Sequence, residues 1–183
     1  VVNNIMRSLV IVSFALVVGA TASNTSFEGE PYSYGGSNDA NHWPTLFEDC
    51  SRYNPFQSPI DVISGMAVPS TSNVSFNHVS SKFHVSQRFG LPFWSCLVPG
   101  DCGSITKNGK QYELLSFHLH TPSENAVNGV SEILELHLVH TYTPPCTGST
   151  AEYLVLGVFV KVIASHNPEF DAFWNSTILT SND

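Results

Sequence analysis

Two stretches decide how this chain folds: Ser116-Phe117-His118-Leu119-His120 and Glu135-Leu136-His137-Leu138-Val139-His140. In both, apolar and polar residues alternate with a period of two, the pattern of a strand with one face buried. His118 and His120 therefore share one face of a strand. Glu135 and His137 share a face of a second strand, with Leu136, Leu138 and His140 on its other side. Between them, Thr121 to Gly129 is rich in turn residues and able to reverse the chain. If the strands lie side by side, three imidazoles converge on one point. Three neutral histidines with a fourth position open to water form a catalytic zinc site, whereas a structural site is closed by a fourth protein ligand. A His-x-His pair alone would not support this, because a core histidine is commonly just a satisfied polar group. The third histidine, with Glu135 two residues before it, changes the weighing: a metal-bound imidazole usually donates its second N–H to a carboxylate or carbonyl.

The rest of the chain reads as mainly β. Tyr153 to Val162 joins Gln111 to His120 and Glu132 to His140 as long strands rich in Leu, Val and aromatics. Shorter strands are expected at Gln57 to Val62, Val74 to Phe76, Lys82 to Gln87 and Phe93 to Leu97. Asn108-Gly109 is a turn leading into the first long strand. A short helix is expected over His42 to Asp49, beginning near Pro44. A second, over Pro168 to Leu179, would turn Phe170, Phe173 and Trp174 inward. Ser23 to Asn41 reads as an extended arm. With 42% hydrophobic and 12% charged residues, the 183-residue chain suits one domain with a sizeable core. Its formal charge of -8, without any Lys/Arg run, argues against a nucleic-acid surface.

Residues 1–22 read as an export leader. Arg7 precedes the apolar run Leu9 to Ala20, and Ala20-Thr21-Ala22 offers a small-x-small cleavage site. That run is short for a membrane span, which needs about 20 apolar residues. Residues 23–183 then form the domain, placed outside the cell or at its surface, with no membrane span once the leader is cleaved. Four cysteines fit an oxidising compartment. Cys96 and Cys102 bracket a tight turn that a disulfide can close, and Cys50 and Cys146 would remain, although four cysteines allow three connectivities. Asn24-Thr25-Ser26, Asn73-Val74-Ser75 and Asn175-Ser176-Thr177 are N-glycosylation sequons.

The two deciding stretches, together with Pro122-Ser123-Glu124, resemble the signature of the alpha-class carbonic anhydrases. Tyr34-Gly35, Asn41-His42-Trp43, Gln57-Ser58-Pro59-Ile60-Asp61 and Leu154-Val155-Leu156-Gly157-Val158-Phe159 match it in the same order, so the resemblance covers Tyr32 to Val162. It implies a single large, twisted, mostly antiparallel sheet with a few short helices. It also implies reversible hydration of CO2 to bicarbonate and a proton by a hydroxide on Zn2+, the ion being held by His118, His120 and His137. By the same resemblance Glu124 accepts a hydrogen bond from a threonine that orients the hydroxide, and Tyr34 belongs to that network. Glu135 is implied as the acceptor for His137, and Val139 and Val155 as lining of the CO2 pocket.

Departures from the family pattern carry expectations too. Ser116 stands where many relatives have a glutamine supporting the first ligand, Asn125 where a histidine is frequent, and Tyr32 where a tryptophan occurs. No proton-shuttle histidine is found: the corresponding position falls on Gly90 or Leu91, which predicts slow proton transfer rescued by imidazole buffer. The family's threonine partner of Glu124, its Thr-Pro-Pro segment and its pocket-floor tryptophan belong after Asp183, so the resemblance implies a chain lacking its carboxy-terminal part. The competing reading is a secreted carbonic-anhydrase-related binding module with little or no catalysis. A zinc hydrolase of another type is disfavoured, since neither His-Glu-x-x-His nor Gly-x-Ser-x-Gly occurs.

Overall fold

The computed structural model describes residues 11–14, 36–39, 41–46, 50, 58–69, 72–88, 91–143, 151–161 and 167–180. Its strands are β1 (Ile11–Phe14), β2 (Asp61–Val62), β3 (Val74–His78), β4 (Phe83–Arg88), β5 (Leu91–Cys96), β6 (Gly103–Lys107), β7 (Lys110–His120), β8 (Ala126–Val127), β9 (Val130–Ser131), β10 (Leu134–Tyr142) and β11 (Glu152–Val160). Helix α1 spans Trp43–Leu46 and helix α2 spans Pro168–Thr180. Eight strands form one antiparallel sheet in the order β1-β11-β10-β7-β5-β4, with β6 on the first half of β7 and β3 beyond it. A second, small sheet joins β2, β8 and β9 beside the β7–β10 connection.

Alternation explains the layering. From β11, Leu154, Leu156, Val158 and Val160 are buried on one face, beside Leu134 of β10 and Leu114 and Leu119 of β7. Ile105 and Tyr112 complete this core. Helix α2 packs there, its Phe173 against Trp94 and Phe117 at ring-centroid distances of 5.3 and 6.3 Å, as its expected apolar side requires. An apolar cavity of about 320 Å³ remains between α2 and the sheet, lined by Phe83, Leu138, Val158 and Phe170 among others.

A strict period of two would place Leu114 and Ser116 on the same face. Instead the β7–β10 register shifts by one: Ser116 lies opposite Val139, and Leu114 opposite His140. Leu115 is thus the extra residue of a bulge and is 40% exposed. The bulge sends Leu114 into the core and Ser116 to the opposite face, re-aiming the end of the strand that carries His118 and His120.

The long strands lie where alternation placed them, with ends moved by two residues at most. Four shorter strands were not expected: β1, β6, and the pair β8 and β9 within a stretch read only as a turn. Asp61–Val62 is shorter than the strand expected from Gln57 and belongs to the small sheet. The expected helix from His42 is a single turn among the described residues. Within the expected leader, Ile11–Phe14 pair with Gly157–Val160 along the outer edge of β11. Among the described residues no helix is long and apolar enough to cross a membrane. Cys96 and Cys102 form the expected disulfide; a Cys50–Cys146 pair cannot be traced because Cys146 lies outside the described residues, as do Tyr32, Tyr34 and the sequon at Asn24.

Candidate metal centre

Strand pairing brings the histidines together in rows that run across the sheet. Phe93, His118, His137 and Gly157 are successive cross-strand partners in one row; His120, Glu135 and Phe159 make the next. Directly opposed residues of neighbouring strands project to the same face, so all three imidazoles share it. One ring nitrogen from each of His118, His120 and His137 lies within 4.8 Å of the others. Phe93 stacks on His118, ring centroids 5.7 Å apart and planes 20° from parallel.

Hydrogen bonds around the rings reveal which nitrogens face the shared space. His137 Nε2–H donates to Glu135 Oε1 at 3.2 Å, so Nδ1 carries the lone pair. Glu124 Oε2 is 3.9 Å from that Nδ1, too far to engage it as a hydrogen bond. At His120, Nδ1 faces Glu124 Oε1 at 3.3 Å, while the buried Nε2 has no hydrogen-bond partner. A buried acceptor without a donor is uncommon in a folded protein, and an ion is one of its ordinary explanations. Burial pushes His120 below the usual imidazole range, outweighing the nearby Glu124 carboxylate that favours its charged form. The neutral ring is the one that can ligate a metal.

Glu135 is 1% exposed. Burial alone pushes its carboxyl upward, but hydrogen bonds from His137 and Asn125 outweigh this and hold its pKa at about 2. The donors from Asn125 are its backbone N–H, to Oε2 at 2.9 Å, and its side-chain Nδ2, to Oε1 at 2.8 Å. Glu135 thus lies behind His137 as an anion held from both sides.

The connecting turn places Glu124 and Asn125. Buried Ser123 donates from its hydroxyl to Asn125 O at 2.6 Å and accepts from Glu132 N at 2.8 Å. Its own N–H donates to Glu132 O at 2.9 Å, closing the loop on itself. Sequence reasoning quoted Ser123 only as part of a motif, yet it fixes the corner from which Glu124 reaches the rings and Asn125 reaches Glu135. Val139 and Val155 are directly opposed and lie one row beyond His137 and Gly157, on the histidine face. Ser116 is buried in that same row, opposite Val139 and Ser95. Leu91 opens β5, on the face of Phe93.

Comparison with known proteins agrees with this arrangement. The sequence profile of the eukaryotic-type carbonic anhydrases matches residues 38–180. This chain belongs to the carbonic anhydrase family. It is 32% identical to carbonic anhydrase Nec1 of Nesocodon mauritianus, over 62% of this chain and 39% of that protein. It is 26% identical to a carbonic anhydrase of Neisseria gonorrhoeae over 96% of this chain and 67% of the relative. The structure of the alpha-carbonic anhydrase of Thermovibrio ammonificans in complex with the inhibitor sulfanilamide superposes with a TM-score of 0.63 at 31% identity, covering 80% of this chain and 62% of that one. The chain thus spans between about two fifths and two thirds of the length of these carbonic anhydrases. The curled antiparallel sheet and its few helices are the expected architecture of the family.

Proposed function

We propose that this carbonic anhydrase domain binds Zn2+ through His118, His120 and His137 and catalyses the reversible hydration of CO2 to bicarbonate and a proton. One observation carries the reading: three imidazoles converge on one sheet face, the buried His120 Nε2 has no other partner, and His137 gives its Nε2–H to Glu135, which leaves lone pairs at His120 Nε2 and His137 Nδ1 for an ion. A divalent ion held there supplies Lewis acidity that makes water a nucleophile at neutral pH. The chain's own residues do the remainder. Glu135 fixes the ring and tautomer of His137. Val139 and Val155 offer an apolar wall beside the rings for an uncharged, linear substrate. Glu124, one-quarter exposed, lies beside the rings of His120 and His137, and Tyr34 is assigned to the same network by its motif alone.

Each turnover leaves a proton to export. With leucine at residue 91 no imidazole is supplied there, so proton transfer to buffer limits the rate and added imidazole accelerates it. The domain is proposed to act outside the cell after loss of residues 1–22. The Cys96–Cys102 disulfide supports an oxidising compartment, and exposed Asn73 is available for a glycan.

The test is elemental analysis of the purified chain together with stopped-flow CO2 hydration. One zinc per chain, buffer-dependent turnover and inhibition by a sulfonamide are expected. A folded chain that takes up no zinc and leaves CO2 unhydrated would overturn the proposal and favour the binding-module reading.

A further inference from the structure

We infer that Asn125 and Gly157 form a two-sided clamp on the Glu135 carboxylate, and that through it they position the His137 ring to capture and retain the metal. The inference rests on the zinc reading above and adds two positioning residues to it.

Three observations meet at one carboxylate. Oxygen Oε1 accepts from His137 Nε2–H at 3.2 Å and from Asn125 Nδ2 at 2.8 Å, while Oε2 accepts from the Asn125 backbone N–H at 2.9 Å. Asn125 is itself anchored: its Oδ1 accepts from Ile60 N at 2.8 Å, tying the clamp to the small sheet. Only one orientation of the amide places a donor on the carboxylate and an acceptor on the Ile60 N–H, so its rotamer is determined at both ends. Both side chains are buried, Asn125 at 5% and Glu135 at 1% exposure, so neither water nor salt competes for these bonds.

Gly157 closes the other side. It pairs with His137 in the β10–β11 register, and a Cβ built there would lie 2.7 Å from Glu135 Oε1 and 3.8 Å from His137 Cδ2. The first distance is inside van der Waals contact. A methyl group would therefore drive Oε1 away from the Nε2–H it accepts. The glycine is required by close approach of the carboxylate, since no positive φ demands it. Asn125, by contrast, is an uncharged residue that supplies a donor at every working pH, where the family frequently carries a histidine.

Zinc release from the loaded protein to excess chromophoric chelator tests the clamp without reference to turnover. Asn125→Ala and Gly157→Ala are each expected to speed release about tenfold, the scale on which outer partners of metal ligands act. Because both residues act through Glu135, neither substitution should change the rate further in a Glu135→Ala background. Asn125→His, which restores a donor of the frequent family type, should return release toward the wild-type rate; near-UV circular dichroism checks folding throughout. Wild-type release rates in both single variants, or full additivity with Glu135→Ala, would overturn the clamp while leaving the zinc site standing. A wild-type chain that never takes up zinc would remove the site and the clamp together.

Discussion

His137 and His140 sit three residues apart on one strand and do opposite things. His137 gives one nitrogen to Glu135 and keeps the other turned toward two further imidazoles. His140 faces the other side of the sheet, is fully buried, and has both nitrogens engaged. Its Nδ1–H is shared between the carbonyls of Leu138 and Leu154, at 3.1 and 3.2 Å. Its Nε2 therefore accepts, from His78 Nε2–H at 2.9 Å. The same side chain serves as a candidate ligand on one face and a structural hydrogen-bond hub on the other; only the partners differ. What distinguishes a candidate ligand is a lone pair left over once the neighbours are satisfied.

The sharpest way to break this comparison is to delete each ring. His137→Ala should reduce zinc stoichiometry to near zero and lower the urea midpoint of the metal-free chain less than His140→Ala does, because Glu135 loses one donor but keeps both from Asn125. His140→Ala should do the reverse: zinc still binds, but stability falls by about 3 kcal/mol, since a cavity opens and two buried carbonyls lose their donor. Loss of zinc in His140→Ala with stability intact would show that the two faces do not divide the work in this way.

Acid should separate the faces next. Burial, reinforced by the charge of neighbouring His78, pushes His140 down from 6.5 to about 4; burial also lowers His78. A histidine whose pKa is depressed by folding takes up its proton more readily in the unfolded chain. Its contribution is complete above pH 6.5 and is lost as the pH falls toward 4, on the order of 3 kcal/mol in all. Protonation also turns N–H against N–H between His140 and His78, removing their hydrogen bond. Glu135, held at about 2 against an ordinary 4.5, keeps its contribution above pH 4.5 and loses it only below. Urea midpoints measured from pH 7 to 3 should therefore decline first through the His140 window. In His140→Gln that first decline should be smaller, the buried His78 and His120 keeping their own share, and a decline as large as in wild type would assign the acid sensitivity to those other groups.

The histidine face was legible because alternation is a strong signal and three histidines in two short motifs are rarely incidental. His118, His120, His137 and Glu135 could be placed on shared faces before any coordinates. What escaped had physical reasons. The bulge at Leu115 arises from pairing with β10, and nothing in Leu114-Leu115-Ser116 announces it. Strands β8 and β9 are two residues each, held by a long-range partner in β2 that no local pattern identifies. Asn125 looked only like a departure from a family pattern, because its hydrogen bonds run to Glu135 and Ile60, ten and sixty-five residues away. Gly157 read as one letter of an apolar strand; the need for it comes from a carboxylate on the neighbouring strand. His78, likewise, became meaningful only when the fold set it against His140.

The smallest effect expected sharpens the comparison from outside both faces. Lys110 Nζ donates to both carboxylate oxygens of Glu152 at 2.9 Å and lies 4.8 Å from the centre of the Tyr142 ring. By distance alone this contact equals the shortest that His140 makes. Yet the side chains are 39% and 37% exposed, so water solvates both charges in the unfolded and folded chain alike, and salt screens what attraction remains. Lys110→Ala should therefore leave the urea midpoint within error of wild type, with any difference vanishing in molar salt. A loss as large as that of His140→Ala would mean that the length of a polar contact, and not the water excluded around it, sets its worth in this sheet.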